Sequence, residues 1–161
     1  MVKEELKFTV EVYDSSDDLN DDDAFLLSEA RSVTQFAYAP YSNFQVGAFA
    51  KLVNGETVSG TNQENASYPA GICAERSLLS NTSAQYPGIA IETMAISYNN
   101  LKGKSDAPVS PCGICRQTLT EFQQRVKKPM RLILSGMEGK VQIIENAAHL
   151  LPLGFSSDDM K

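Results

Sequence analysis

Every cysteine of this chain lies in one of two short motifs, Cys73-Ala74-Glu75 and Pro111-Cys112-Gly113-Ile114-Cys115. If the three sulfurs serve one ion, any fold must bring the segments around positions 73 and 112 to a common point. Three thiolates on a zinc ion leave the fourth tetrahedral position for water, as in catalytic sites, whereas structural sites are closed by four protein ligands. Glu75, two positions after the first thiolate, is placed to move that water's protons. A C-x-x-C alone also fits a redox pair or half of a structural zinc knot. A redox pair leaves Cys73 without a role, and a closed knot needs a fourth ligand. The one histidine, His149, sits in an apolar stretch between Ala148 and Leu150, where a lone histidine is more often structural than ligating.

Both motifs open helical stretches, at about 73–84 and 112–124. Helix N-termini expose unpaired N–H groups and a positive dipole end, which favour thiolate over thiol. Cys115 follows Cys112 by one turn on the same face, so one helix can offer both sulfurs while Cys73 comes from another. Glu75 is offset by two helical positions from Cys73 and is free to point beside the metal. Three thiolates on a divalent cation leave a net charge of −1, which blunts its power to acidify water. A cation should offset this. Arg76 and Arg116 adjoin the motifs, and Arg76 is assigned to tune a ligand sulfur by hydrogen bonding. The alternative is that both form surface ion pairs.

At 161 residues and 42% hydrophobic content the chain suits one domain. We place an N-terminal arm and acidic linker at 1–23 and the functional domain at 24–161. No apolar run approaches the roughly 20 residues that span a bilayer, and no apolar core follows Met1-Val2-Lys3-Glu4-Glu5, so no membrane partner is expected. An odd cysteine count argues against a disulfide framework and for a reducing, cytoplasmic setting. A formal charge of −6 disfavours nucleic acid, whose phosphates demand clustered Lys and Arg, and favours a small neutral substrate.

In the arm, Phe8, Val10 and Val12 alternate with polar residues and predict a short strand or an extended arm. The acidic run from Asp14 to Asp23 fails as a calcium loop, with no glycine at the sixth position from Asp17 and Ser28 at the twelfth. Its last aspartates are expected to cap a helix from Ala24 to about Tyr38. Strands are predicted at 45–53 and 56–61 around the hairpin dipeptide Asn54-Gly55, at 89–98, at 131–135 and at 140–144, with a short helix at 145–151. Residues 99–110 read as a surface loop. Alternating helices and strands after an early hairpin imply an α/β fold with a mixed sheet covered by helices.

With these residues in hand, the chain resembles the homotetrameric class of cytidine deaminases over about residues 24–160. The resemblance rests on Ala39-Pro40-Tyr41-Ser42-Asn43-Phe44 with Val46-Gly47-Ala48, Asn62-Gln63-Glu64-Asn65-Ala66, Cys73-Ala74-Glu75-Arg76, Pro111-Cys112-Gly113-Ile114-Cys115-Arg116-Gln117, and Leu150-Leu151-Pro152 with Phe155. It implies a three-layer α/β/α fold with a roughly five-stranded sheet. It also implies one zinc ion per subunit on Cys73, Cys112 and Cys115, with Glu75 as the catalytic acid and base. The reaction would be hydrolytic deamination of cytidine and deoxycytidine in pyrimidine salvage. Asn62 and Glu64 would hold the ribose hydroxyls, Phe44 would pack on the pyrimidine, and the Ala74 backbone would meet the carbonyl edge of the base. Phe155 would reach a neighbouring subunit's site and Tyr68 would contribute across the same interface, giving a homotetramer with shared active sites. A blasticidin-type or other small-molecule deaminase, a polynucleotide editor and an inactive zinc-binding regulator are the competing readings. Three features depart from the family pattern: the arm, a longer 99–110 loop, and Leu78-Leu79 where smaller residues are expected.

Overall fold

The periodicities resolve into six strands and three α-helices in the computed structural model, which describes all 161 residues. In order these are β1 (Glu11–Tyr13), α1 (Asp21–Val33), β2 (Phe44–Leu52), β3 (Thr57–Thr61), α2 (Ala74–Gln85), β4 (Ile91–Asn100), α3 (Gly113–Val126), β5 (Arg131–Ser135) and β6 (Val141–Ile144). One mixed sheet runs β1-β6-β5-β4-β2-β3. Only the β4–β5 pair is parallel. The sheet has six strands where about five were expected, because the arm adds β1 to the edge at β6, pairing Glu11 with Ile143 and Tyr13 with Val141. Pairing starts at Glu11, later than the alternation from Phe8 suggests, because β6 and not local pattern sets the length of this edge strand. The expected helix at 145–151 is a short 3-10 turn, Ala147–Leu150. No helix is long and apolar enough to cross a membrane.

Strand alternation divides the interior into two cores. Met94 and Ile96 of β4 and Leu132 and Leu134 of β5 pack with Leu78 and Leu79 of α2 and Leu119 and Phe122 of α3. Ala95 and Ile133, one position out of phase, meet Leu26, Leu27 and Ala30 of α1 on the opposite face. The result is three layers, with α1 alone on one side. Leu78 and Leu79, unusual for the family pattern, are buried core residues.

Helix α1 begins earlier than predicted. Its cap is Asn20, whose side chain accepts from the Asp23 amide at 3.0 Å, so Asp21, Asp22 and Asp23 fill the first turn and complement the dipole. Asp23 is only 5% exposed and accepts two hydrogen bonds from the Arg131 guanidinium of β5. Burial alone would raise this carboxyl, but Arg131 and Asn20 together hold it below the ordinary carboxylate value. The helix stops at Val33, and a 3-10 turn at Thr34–Phe36 leads into extended chain before Pro40.

Topology explains why the two cysteine motifs meet. Strands β3 and β4 are both antiparallel to β2, hence parallel to each other, and each is followed by a helix on the same face of the sheet. The N-termini of α2 and α3 therefore open at one end of the sheet. Gly60 lets α2 lie against β3, since a Cβ there would fall 2.4 Å from the Leu78 amide and 2.6 Å from the Ala74 carbonyl oxygen. Both contacts are backbone and cannot yield without moving the helix. Gly60→Ala is expected to destabilise the protein by about 1–3 kcal/mol, as overpacking does. That corresponds to a melting midpoint lower by roughly 3–10 °C in calorimetry. An unchanged midpoint would refute this account of the packing.

The longer loop begins at residue 101 and not at 99, because Asn99 and Asn100 extend β4 by pairing with Gln45 and Phe44, and it is tied down. The Ser105 carbonyl accepts from the Glu138 amide at 3.2 Å and the Ser105 hydroxyl from the Asn100 amide at 2.8 Å. Gly136 and Gly139 in the β5–β6 turn approach so closely that a Cβ on either would sit 2.1 Å from a loop carbonyl. The far end of the loop, Val109 and Ser110, is thereby delivered to the site described next.

Candidate active site

Cys73 and Cys112 are the N-cap residues of α2 and α3, and Cys115 lies one turn into α3. The three Sγ atoms all lie within 4.8 Å of one another, and those of Cys73 and Cys112 are 3.7 Å apart. Tetrahedral zinc with Zn–S near 2.3 Å separates its sulfurs by roughly 3.8 Å, so this donor set fits zinc in both chemistry and spacing. Cys115 is fully buried, whereas Cys112 is exposed. Hydrogen bonding from Cys115 lowers the Cys73 thiol to about 6 against the opposing effect of burial, with further help from Cys112 and the Arg76 charge. The Cys115 thiol is pushed up by its hydrogen bond with Cys73 and by burial. One sulfur of the cluster thus ionises readily, as a metal ligand must. His149 belongs to no such group; its ring lies 5.6 Å from that of Phe8, in the packing of the arm.

Glu75 is 5% exposed, in the first turn of α2 beside the thiolates. Burial raises its carboxyl above the ordinary range. The shift favours the protonated form, which suits a group that must hold a proton between accepting and delivering it. It faces a cavity of about 470 Å³. One wall is the sheet, with Phe44 and Val46 from β2 and Ile96 and Tyr98 from β4. Another is the 62–76 segment, which contributes Asn62, Glu64, Tyr68, Ala74 and Arg76.

The structure thus gathers most of the residues predicted from sequence into one cavity and shows what holds them. The Asn62 side chain bridges β2, donating to the Phe44 carbonyl at 2.9 Å and accepting from the Val46 amide at 2.7 Å. The Glu64 carboxylate accepts from the Tyr41 amide at 2.9 Å, the Ser42 amide at 3.3 Å and the Ser42 hydroxyl. These bonds pull its carboxyl below the ordinary value, the Ser42 hydroxyl contributing most. Both side chains keep unused capacity: one amide N–H on Asn62 and a lone pair on Glu64. Tyr68 lines the mouth and is 75% exposed. Phe155 does not line the cavity of its own chain; it is 59% exposed, and its carbonyl accepts from Gln117 at 2.9 Å.

The two arginines separate. Arg116 donates to the Pro111 carbonyl at 2.8 Å and the Leu150 carbonyl at 3.1 Å, bracing the turn before Cys112 against the C-terminal segment. Arg76 lines the cavity and makes no salt bridge or side-chain hydrogen bond, and its charge favours the Cys73 thiolate. Sequence reasoning overlooked Tyr98, which stacks on Phe44 with ring centroids 4.7 Å apart and planes 13° from parallel. Its place in phase with Met94 and Ile96 was a usable signal, but the stack depends on a cross-strand register that no local pattern states.

Known proteins are similar to this chain in sequence and fold. The family described as the cytidine and deoxycytidylate deaminase zinc-binding region matches residues 20–130. The cytidine deaminase of Halalkalibacterium halodurans is 35% identical over 141 residues, covering 86% of this chain and 98% of that protein. The crystal structure of cytidine deaminase from Burkholderia pseudomallei superposes with a TM-score of 0.70 at 37% identity, covering 81% of this chain and 97% of the other. That of cytidine deaminase from Mycobacterium leprae gives 0.62 at 31%, covering 84% and 99%. Three thiolates at two helix N-termini, a buried glutamate beside them and these matches lead to one conclusion: the chain belongs to the zinc-dependent cytidine deaminase family.

Proposed function

We propose that this protein hydrolyses cytidine and deoxycytidine to the corresponding uridine nucleoside and ammonia at the 470 Å³ cavity. The observation that carries the reading is the buried Glu75 carboxyl beside three converging sulfurs on the cavity wall. When bound to Cys73, Cys112 and Cys115, zinc supplies Lewis acidity that makes water nucleophilic near neutral pH. Glu75 accepts a proton from the water that attacks C4 of the base. It passes that proton to N3, then takes the remaining proton from the hydroxyl now on C4 and gives it to the departing amino group, so ammonia leaves as the carbonyl forms. Arg76 offsets the negative charge of the thiolates. Asn62 and Glu64, braced by the 41–46 backbone, offer their remaining donor and acceptor capacity to the ribose hydroxyls, while Phe44 packs on the ring and the Ala74 backbone meets its carbonyl edge.

The assay is the ultraviolet absorbance change on incubation with cytidine, run beside deoxycytidine, cytosine, dCMP and blasticidin. Turnover of the two nucleosides is expected. No turnover of cytidine, or a preference for blasticidin or the free base, would overturn the reading.

The exposed Tyr68 and Phe155 support a homotetramer in which Phe155 enters a neighbour's cavity. Light scattering should return four chains per particle. Phe155→Ala should raise KM for cytidine about tenfold, the effect of losing an apolar anchor. A fully active monomer would refute both the assembly and this role.

A further inference from the structure

We propose that Tyr98 is a positioning residue of this pocket: its ring holds Phe44 in the orientation that walls the bound nucleoside, so affinity depends on a side chain outside the recognised motifs. The proposal rests on the reading of the cavity as a nucleoside site.

Successive side chains of a strand alternate between faces, so Met94, Ile96 and Tyr98 share the face covered by α2 and α3. Met94 and Ile96 enter the core beneath the helices, whereas Tyr98 lies further along β4, where the cavity replaces the core. Directly across the sheet from Tyr98 is Val46, and Phe44 is its diagonal neighbour, within the reach of aromatic pairs. The rings meet nearly parallel, at 13° and 4.7 Å, an offset-stacked geometry. Tyr98 is 7% exposed and both rings line the cavity.

The backbone of Phe44 is pinned independently. Its carbonyl is held by Asn62, its amide donates to the Ser42 hydroxyl at 3.0 Å, and Asn43 before it is in the left-handed region at φ 58°. Those bonds fix where the residue starts and leave its side-chain torsions unconstrained. Tyr98 closes one face of the Phe44 ring and so selects its orientation, leaving the remaining surface for a ligand. The Tyr98 hydroxyl makes no hydrogen bond within the chain, so the ring is the working part of the side chain. A wall that is ordered before binding need not be ordered by the ligand, and the benefit appears in affinity, not in the chemical step.

The test is steady-state kinetics on cytidine for Tyr98→Phe, Tyr98→Leu, Phe44→Leu and the Phe44→Leu/Tyr98→Leu double variant, each checked for zinc content. Tyr98→Leu should raise KM about tenfold with kcat within threefold of wild type, and Tyr98→Phe should keep KM within twofold because the stack survives. The double variant should be no more than about twofold worse than Phe44→Leu alone, since one residue acts through the other. If Tyr98→Leu fails to retain zinc, Tyr98→Met takes its place in every comparison. An unchanged KM in the leucine variant, an equal defect in the phenylalanine variant, a fall in kcat alone, or additive effects in the double variant would each overturn the proposal. Failure of the underlying reading is separate, because wild-type protein would then not turn over cytidine at all.

Discussion

Glu75→Gln is expected to lower kcat for cytidine by about 10⁴-fold, the upper end of what one general acid and base supplies. The large figure follows from repeated use of the same carboxyl: it carries one proton from water to N3 and a second from the C4 hydroxyl to the leaving nitrogen. An amide of the same shape can do none of these at neutral pH. Glu75 is 5% exposed, so little bulk water reaches its position to substitute for the lost group. None of the three thiolates is altered, and metal content should remain at one zinc per chain by elemental analysis. KM should change little. Normal turnover in a zinc-loaded Glu75→Gln or Glu75→Ala protein would disprove the mechanism.

Cys73→Ala is expected to remove both metal and activity, while Cys73→His keeps the metal. With two sulfurs remaining, both on α3, the ion loses its only ligand from α2, and affinity should fall on the order of 10³-fold or more given the free energy bound up in such sites. Zinc content after gel filtration should drop below one tenth of an equivalent and deamination should become undetectable. Histidine also ligates zinc, and zinc deaminases use it beside two cysteines. It should therefore restore about one equivalent. Replacing a thiolate with neutral imidazole removes one negative charge, so Arg76 should matter less in the Cys73→His protein than in wild type. Retention of a full equivalent by Cys73→Ala would show that the three-sulfur cluster is not the metal site.

Much of the site was legible because its signals are local. Cap positions, C-x-x-C spacing and the offset of Glu75 are properties of single turns of helix, and they place Cys73, Cys112 and Cys115 correctly at helix starts. The Asn54-Gly55 hairpin and the strand at Arg131–Ser135, which ends at the Gly136–Gly139 turn, follow from turn chemistry in the same way. Other assignments moved when distant partners entered. The last aspartates of the acidic run are expected to cap a helix, yet Asn20 is the cap and Asp23 turns inward to Arg131, more than a hundred residues away. The arm's alternation points to a short strand, but only the fold shows that residues 11–13 pair with β6 and complete the edge of the sheet. Asn62 and Glu64 are expected to hold the ribose hydroxyls, and their bonds to residues 41–46 are invisible without the fold.

By itself the sequence determined the three clustered sulfurs, the carboxyl two positions after the first of them and the order of helices and strands, because each is encoded within a few consecutive residues. Only the tertiary structure decided that α2 and α3 open at the same end of one sheet, that Gly60 admits α2 against β3, and that Tyr98 stacks on Phe44. These depend on strand direction, cross-strand register and close packing between segments far apart in the chain. Side-chain periodicity determines which face a residue occupies, but not which residue of another strand it will meet.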